Sequence, residues 1–264
     1  MASAMIVYSW NMLYRNRELE RAFGFIRDAD FDLFCLQEVP DGFRKRLETL
    51  PYFIAARTDV ERLFARRTEY NSVMILSKHP IASEGEIPFP DYEPLLPLRT
   101  RIFVRLMRPF GFSRVRNRGG VFADVLVPGA PRSVRVFNLH LILAHPRARI
   151  VEFEAALAKR NPEQPTVLCG DFNILETPHI TPLNWMLGGR MSDAVFYRRE
   201  RTRIEERLVE HELRNALRGH ITHPLSRSQL DHILVSRDFR IENAEVIPGR
   251  LGSDHHPIRV EIAW

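Results

Sequence analysis

The stretch T-V-L-C-G-D-F-N, Thr166 to Asn173, joins a short β-branched apolar run to a turn carrying a carboxylate and a carboxamide. An apolar run of that length bounded by turn residues reads as a buried strand, with Asp171 and Asn173 placed just beyond Thr166–Cys169. The same arrangement recurs along the chain. Asn11 follows the run Met5–Trp10, Gln37 and Glu38 follow Phe31–Leu36, and His140 closes Ser133–Leu141 in V-F-N-L-H. Asp231 and His232 open the run Leu230–Val235, and Asp254, His255 and His256 stand in G-S-D-H-H-P just before Ile258–Ile262. Further apolar runs at Ser72–Leu76 and Gly120–Val127 add strands, while Arg17–Ala29, Phe43–Leu50 and Arg147–Ala158 have helical periodicity. The class is mixed, α+β or α/β.

The 264 residues exceed the usual domain size, but sandwiches and barrels of roughly 200 to 250 residues form single domains, and one domain over 1–264 is expected. With 45% hydrophobic and 27% charged residues the composition is globular and excludes disorder as the default. No segment reaches the ~18 apolar residues of a membrane span, and the N-terminus lacks a basic stretch followed by a long apolar run. The chain therefore reads as soluble and cytoplasmic. Cys35 and Cys169 lie inside apolar runs and read as small buried thiols, with no disulfide expected.

The net charge is +5, and of 38 basic residues only Lys45, Lys78 and Lys159 are lysines. Arginine suits phosphate oxygens, so the balance favours a polyanionic or phosphorylated partner, although an arginine-rich genome leaves the same mark. Two segments break the strand rhythm. Arg99 to Arg118 carries Arg99, Arg101, Arg105, Arg108, Arg114, Arg116 and Arg118 without an acid, interleaved with Phe103, Phe110 and Phe112; Arg198 to His220 reads as a surface helix.

A strand-end Asn or Asp taken singly is a turn former or a helix cap, and a single histidine is a satisfied core residue. The set is different, because loops at one edge of a sheet gather strand ends. It then holds carboxylates, carboxamides and two imidazoles, and hard oxygens with few histidines favour Mg²⁺ or Mn²⁺ over Zn²⁺. Such a site suits phosphoryl chemistry, in which a metal neutralises charge on phosphate oxygens. A zinc hydrolase would need a His-x-His-x-Asp-His cluster, which is absent.

In that order, S-W-N at Asn11, L-Q-E at Glu38, Y-N-S-V-M-I-L-S-K-H-P-I around Asn71, N-L-H-L at His140, C-G-D-F-N at Asp171, Q-L-D-H-I at Asp231 and G-S-D-H-H-P at His255 resemble the endonuclease/exonuclease/phosphatase superfamily. The resemblance covers essentially the whole chain. It implies a four-layer αββα sandwich of two largely antiparallel sheets flanked by helices. It also implies that Glu38 binds the catalytic metal with Asn11 beside it and Asp254 near it. Asp171 and Asn173 hold or activate the attacking water and contact the phosphate, His255 pairs with Asp231, and His140 contacts the phosphate and helps protonate the leaving oxygen. Asn71 and Arg118 are weaker matches on the substrate side. An imidazole bonded to a carboxylate has its tautomer set and its cation favoured, which agrees with these roles. His232, one residue past Asp231 on a strand, faces the other way.

The resemblance defines a phosphoester hydrolase but not its substrate. A nuclease or phosphodiesterase is the leading expectation, with the Arg99–Arg118 segment covering a nucleic-acid backbone and its phenylalanines stacking on bases. The alternative is a phospholipid or small phosphomonoester hydrolase, for which the same segment rests on an anionic membrane surface. A family fold kept as a binding module with a dead site is a third reading. No obligate protein partner is implied.

Overall fold

The computed structural model describes residues 4–64, 67–107, 114–196 and 198–264. Its strands, in chain order, are β1 (Ala4–Asn11), β2 (Leu33–Pro40), β3 (Phe53–Leu63), β4 (Thr68–Ser77), β5 (Ile81–Pro88), β6 (Arg114–Arg116) and β7 (Gly119–Val125). Then come β8 (Val134–His140), β9 (Thr166–Asp171), β10 (Leu213–Asn215), β11 (Asp231–Ser236), β12 (Arg240–Val246) and β13 (Ile258–Ala263). The helices are α1 (Leu19–Asp28), α2 (Asp41–Leu47), α3 (Leu98–Leu106), α4 (Pro146–Leu157), α5 (Pro182–Met186), α6 (Met191–Val195) and α7 (Arg199–Glu210).

The strands form two sheets, ordered β12-β13-β1-β2-β4-β3-β6 and β10-β11-β9-β8-β7-β5. Each is antiparallel except for one central parallel pair, β1 with β2 and β8 with β9. A parallel pair needs a crossover, and α1 and α4 supply it. Period-two alternation then divides the side chains. Val7 and Cys35 of the first sheet meet Val136, Val167, Ile233 and Val235 of the second in the layer between them. Tyr8, Trp10, Phe34 and Leu36 turn outward under α1 and α2, and Phe137, Leu139 and Leu168 turn outward under α4 and α7. The result is the expected four-layer αββα sandwich. Cys35 and Cys169 are buried free thiols in the middle layer.

Several strands were not legible as apolar runs. β5, I-A-S-E-G-E-I-P, and β12, R-I-E-N-A-E-V, are sheet edges with mostly exposed or half-buried side chains, so nothing forces their sequences to be apolar. The basic aromatic Arg99–Arg118 segment, which breaks the strand rhythm of the sequence, holds most of α3 and all of β6. Within it Phe103 packs into a cluster with Val60, Tyr92 and Leu187 rather than standing free, while Arg108, Phe110 and Phe112 lie outside the described residues. The Arg198–His220 run holds α7, whose Ile204 and Leu208 are buried, followed by β10.

The basic side chains are also spent differently from the composition argument. Arg149, fully buried on α4, bonds both carboxylate oxygens of Glu200 and the Ile142 and Leu143 carbonyls. Arg201 bridges Glu176 to the Gln229 carbonyl, and Arg135 forks onto Asp124. Planar guanidinium groups here tie loops together from inside.

Register positions the functional edge. Across the second sheet, His140 of β8 lies opposite Asp171 of β9, and Asp171 lies opposite Asp231 of β11. All three have the parity of Val136, Val167 and Ile233, so they form one row facing the other sheet. There β1 ends at Asn11, paired with Gln37. Just beneath, Gln37 donates to Asn138 at 2.7 Å and Asn138 donates to the Leu36 and Met74 carbonyls, a polar clamp that ties the two sheets below the row.

Candidate active site

Strand parity alone does not complete the site; a β-bulge in β2 does. Gln37 points between the sheets, so simple alternation would aim Glu38 at the outer layer. The β2–β4 register breaks between Leu36 and Val39, and Glu38 takes a left-handed φ of 54°. Its carboxylate borders the cavity, with Oε2 accepting from the Tyr14 N–H at 3.0 Å and Oε1 accepting from Arg62 at 2.9 Å. A second break lies in β3 between Thr58 and Val60: Asp59 keeps the inward parity of Ala55, and the break brings Val60 to the cavity side as well. Asn173 also has positive φ, 53°, and its backbone N–H and side-chain amide bond the Asp171 carboxylate and the Leu141 carbonyl. Left-handed backbone at Glu38 and Asn173 is tolerated because each side chain is held by these bonds.

The centre is Asp171. Its Oδ2 accepts from Asn11 Nδ2 at 2.9 Å and stands 3.7 Å from His255 Nε2 and 3.9 Å from His140 Nε2. Each imidazole is held from behind by a carboxylate at Nδ1: His255 by Asp231 at 2.8 Å, His140 by Asp59 at 2.5 Å. Both rings therefore present Nε2 to the same side of Asp171. The segment before β13 fixes His255 further. The Ser253 hydroxyl donates to the Asn11 carbonyl and accepts from the His255 N–H, and the Trp10 indole donates to the His255 carbonyl. The glycine in C-G-D-F-N has its own reason. Gly170 sits at φ +149°, and a Cβ there would overlap the Leu139 carbonyl of the neighbouring strand.

The electrostatics follow from this packing. Burial alone would lower the His255 pKa, but the carboxylates of Asp231 and Asp171 outweigh it and push the imidazole up to about 10. His140 is raised in the same way, with burial overcome by Asp59, Glu38 and Asp171. Asp171 is raised by its own burial and by Asp231, against the opposing pull of the two imidazoles and Asn11. Asp254 is partly buried, which works against ionisation, yet the His223 and His255 rings hold it down at about 2.

Of the expected residues, Asn11, Glu38, His140, Asp171, Asn173, Asp254 and His255 all line one cavity, and Asp231 stands behind His255. Asn71 is one step removed: with its amide oxygen toward Arg62 it accepts from Nε at 2.9 Å, so it braces the guanidinium that holds Glu38. Arg118, read from the sequence as a substrate contact or a surface residue, is buried and committed to Glu152 and the His140 carbonyl, so it props the His140 strand end. His232 turns away from Asp231 as parity requires, stacks on Phe172 at 4.5 Å and meets Arg201. Asp59, Arg62 and His223 were not singled out from sequence. His223 lies against the His255 ring at 4.7 Å and 3.7 Å from Asp254.

The donor set fits a hard divalent cation. Glu38 and Asp254 offer carboxylate oxygens to the cavity, and Asn11 Oδ1, which takes one bond from the Leu13 N–H, keeps a second lone pair. Among the described residues, donor atoms of Asp171, Asp231 and His255, and of His223, Asp254 and His255, lie within 4.8 Å of one another. Both groups share His255, whose Nδ1 is taken by Asp231, so the oxygens of Glu38, Asn11 and Asp254 are the more available ligands.

A profile of the Endonuclease/Exonuclease/phosphatase family matches residues 8–255, a span that contains every residue of this site. The chain belongs to that family. Members of the endonuclease/exonuclease/phosphatase family are phosphoester hydrolases, generally dependent on a divalent metal. The fold is shared with an endonuclease/exonuclease/phosphatase from Beutenbergia cavernae (TM-score 0.69, 17% identity, 98% of this chain and 71% of that one). It is shared with the human nocturnin catalytic domain with bound sulfate (0.64, 14%, 99% and 95%). A Bacteroides thetaiotaomicron mannosyl-6-phosphatase has it too (0.59, 18%, 98% and 100%). These likenesses carry the fold, not the substrate. No curated protein matches the sequence.

Proposed function

We propose that the protein is a Mg²⁺- or Mn²⁺-dependent phosphoester hydrolase in which Asp171 positions the attacking water between two carboxylate-backed imidazoles. The observation that carries this reading is the convergence of both Nε2 atoms on Asp171 Oδ2, at 3.7 and 3.9 Å. Each ring has its Nδ1 proton fixed by a carboxylate and turns an N–H donor toward the place a phosphoryl group would occupy. In this reading Asp171 takes the proton of the water as it attacks phosphorus. His255 donates to a non-bridging phosphoryl oxygen, and His140 donates to the departing oxygen. Asn11 and the Asn173 backbone keep the Asp171 carboxylate from rotating. Glu38, Asn11 and Asp254 would hold the metal, which supplies neutralisation of phosphoryl charge when bound.

The test is metal-dependent hydrolysis of bis-p-nitrophenyl phosphate with an EDTA control. Asp171→Asn and His255→Ala should each lower turnover by at least ~100-fold, the usual loss when a positioned acid–base group is removed. Activity near wild type in either variant would remove that residue from the mechanism. The nuclease expectation calls for an open basic channel beside these groups. What adjoins them is a cavity of about 990 Å³ whose walls are chiefly aliphatic, which favours the alternative substrate class.

A further inference from the structure

We infer that the substrate is a membrane lipid phosphoester, with its phosphate at Asp171 and its apolar portion inside the cavity. The inference rests on the phosphoester-hydrolase reading for the head-group end only.

The cavity runs from the row of catalytic side chains to walls built by Val60, Leu96, Val104, Ile142, Leu183 and Leu187. At about 990 Å³ it sits at the upper end of the range for small-molecule sites. Arg15, Arg62, Arg118 and His223 line it together with the catalytic residues, and Arg101, Arg105, Asp91 and Glu93 add charge on its walls, while Val60, Leu96, Ile142, Leu183 and Leu187 belong to one contiguous apolar cluster. A charged head with a long apolar body matches that division, whereas a nucleotide would place polar sugar and base edges against aliphatic walls and leave their hydrogen bonds unmade. The deep wall is not a soft accident of packing. Arg149 anchors the Ile142 and Leu143 carbonyls and reaches Asn184, so the loop after β8 and the α5 helix are held apart from behind.

The outer side of α3 gives the second, independent observation. One side of this helix, with Arg101, Val104 and Arg105, borders the cavity. Another carries Leu98, Ile102 and Leu106 at i, i+4 and i+8, exposed at 72%, 50% and 69%. Leu225, also at the cavity margin, is 78% exposed. The helix contains Arg99, Arg101 and Arg105 and no acid; Arg99 is tied to the Trp185 and Gly189 carbonyls and Arg101 to the Leu96 carbonyl, so Arg105 is the arginine best placed to meet an anionic surface. An apolar stripe beside arginines is the pattern of a helix that lies in an anionic bilayer surface, and a cavity opening beside it can draw a lipid directly from that surface. Among the described residues no helix is long and apolar enough to cross a membrane, so contact of this kind would be superficial.

Binding and turnover separate the two claims. Calorimetry with methyl, hexyl and dodecyl phosphate, each below its aggregation concentration and with Mg²⁺ present, should show Kd falling by on the order of threefold per added methylene until the cavity is full. Val104→Glu should flatten that dependence. Equal affinity along the series in the wild type overturns the lipid inference. Bis-p-nitrophenyl phosphate turnover in the same preparation reports the hydrolase reading: its loss with chain-length dependence intact refutes the chemistry and keeps the cavity, and the converse refutes the lipid. Sedimentation with phosphatidate vesicles tests the source. Ile102→Glu should weaken it at least ~5-fold, and a wild-type chain that stays in the supernatant overturns the membrane assignment.

Discussion

Replacing Asp231 by Asn isolates the electrostatics of the site. Asp231 Oδ2 lies 2.8 Å from His255 Nδ1, and Asp171 Oδ2 lies 3.7 Å from Nε2. At an effective dielectric of about 20, the nearer carboxylate stabilises the imidazolium by ~6 kcal/mol and the farther by ~4.5 kcal/mol, both opposed by burial. Removing the nearer charge should bring the His255 titration from about 10 down by several pH units, to the neutral range. Imidazole NMR on the metal-free chain measures this directly. The side chain is isosteric and Asp231 Oδ1 has no hydrogen-bond partner among the described residues, so an amide can turn its oxygen to Nδ1 at a fold cost of ~1–3 kcal/mol. Turnover of bis-p-nitrophenyl phosphate should fall ~10²- to 10⁴-fold, as when an imidazole loses its orienting carboxylate. The linkage sign provides a check. A histidine raised on folding contributes stability that is full below pH 6.5 and lost as pH rises to about 10, at ~1.4 kcal/mol per pH unit. The wild type should show this alkaline loss and Asp231→Asn should not. A His255 midpoint still near 10 in the variant, or turnover within a few-fold of wild type, would mean that Asp231 neither charges nor orients the ring.

Asp59→Asn should lower turnover ~10- to 100-fold through His140, and chemical-shift titration of His140 should move to lower pH; an unmoved titration would deny the pair. Gly170→Ala should cost ~2 kcal/mol or more in urea unfolding, since the added Cβ meets the Leu139 carbonyl at a left-handed φ, and an unchanged midpoint would contradict the geometry. His232 is held well below its ordinary pKa by burial and by Arg201. A histidine lowered on folding removes stability as pH falls below 6.5, by up to ~1.4 kcal/mol per unit, and His232→Gln should reduce that acid slope in denaturation series at pH 4 to 7. Asn138→Ala should destabilise by ~3 kcal/mol by taking the amide donor from the Leu36 and Met74 carbonyls and one acceptor from Gln37, which keeps Ser9; a smaller loss in thermal unfolding would mean water replaces the amide.

Period-two patterning by itself determined a mixed α+β or α/β class and put His140, Asp171 and Asp231 at strand ends, while the four-layer sandwich was implied by the family resemblance and the row by the register of β8, β9 and β11. A strand-end residue's face follows from its parity. Asn11 and the position of His255 before the last strand were legible for the same reason. Glu38 was found through its motif, but its direction was not: a bulge and a left-handed φ reverse the face that alternation assigns. Asp59 escaped notice entirely because β3 lacks an apolar rhythm, so no strand, and hence no inward face, was assigned to it. Arg62 and His223 gained their places only through strands and loops far away in sequence. Arg118, a weak substrate-side match or a surface residue by sequence, is a buried prop because Glu152, on a helix 34 residues later, takes its charge. The cavity belongs wholly to the tertiary structure. Its walls come from β3, α3, the loop after β8 and the α5 region, and no local pattern records how far apart packed elements are held. Local periodicity sets which side chains face inward; the distances between sheets, bulges and loops decide what those side chains enclose.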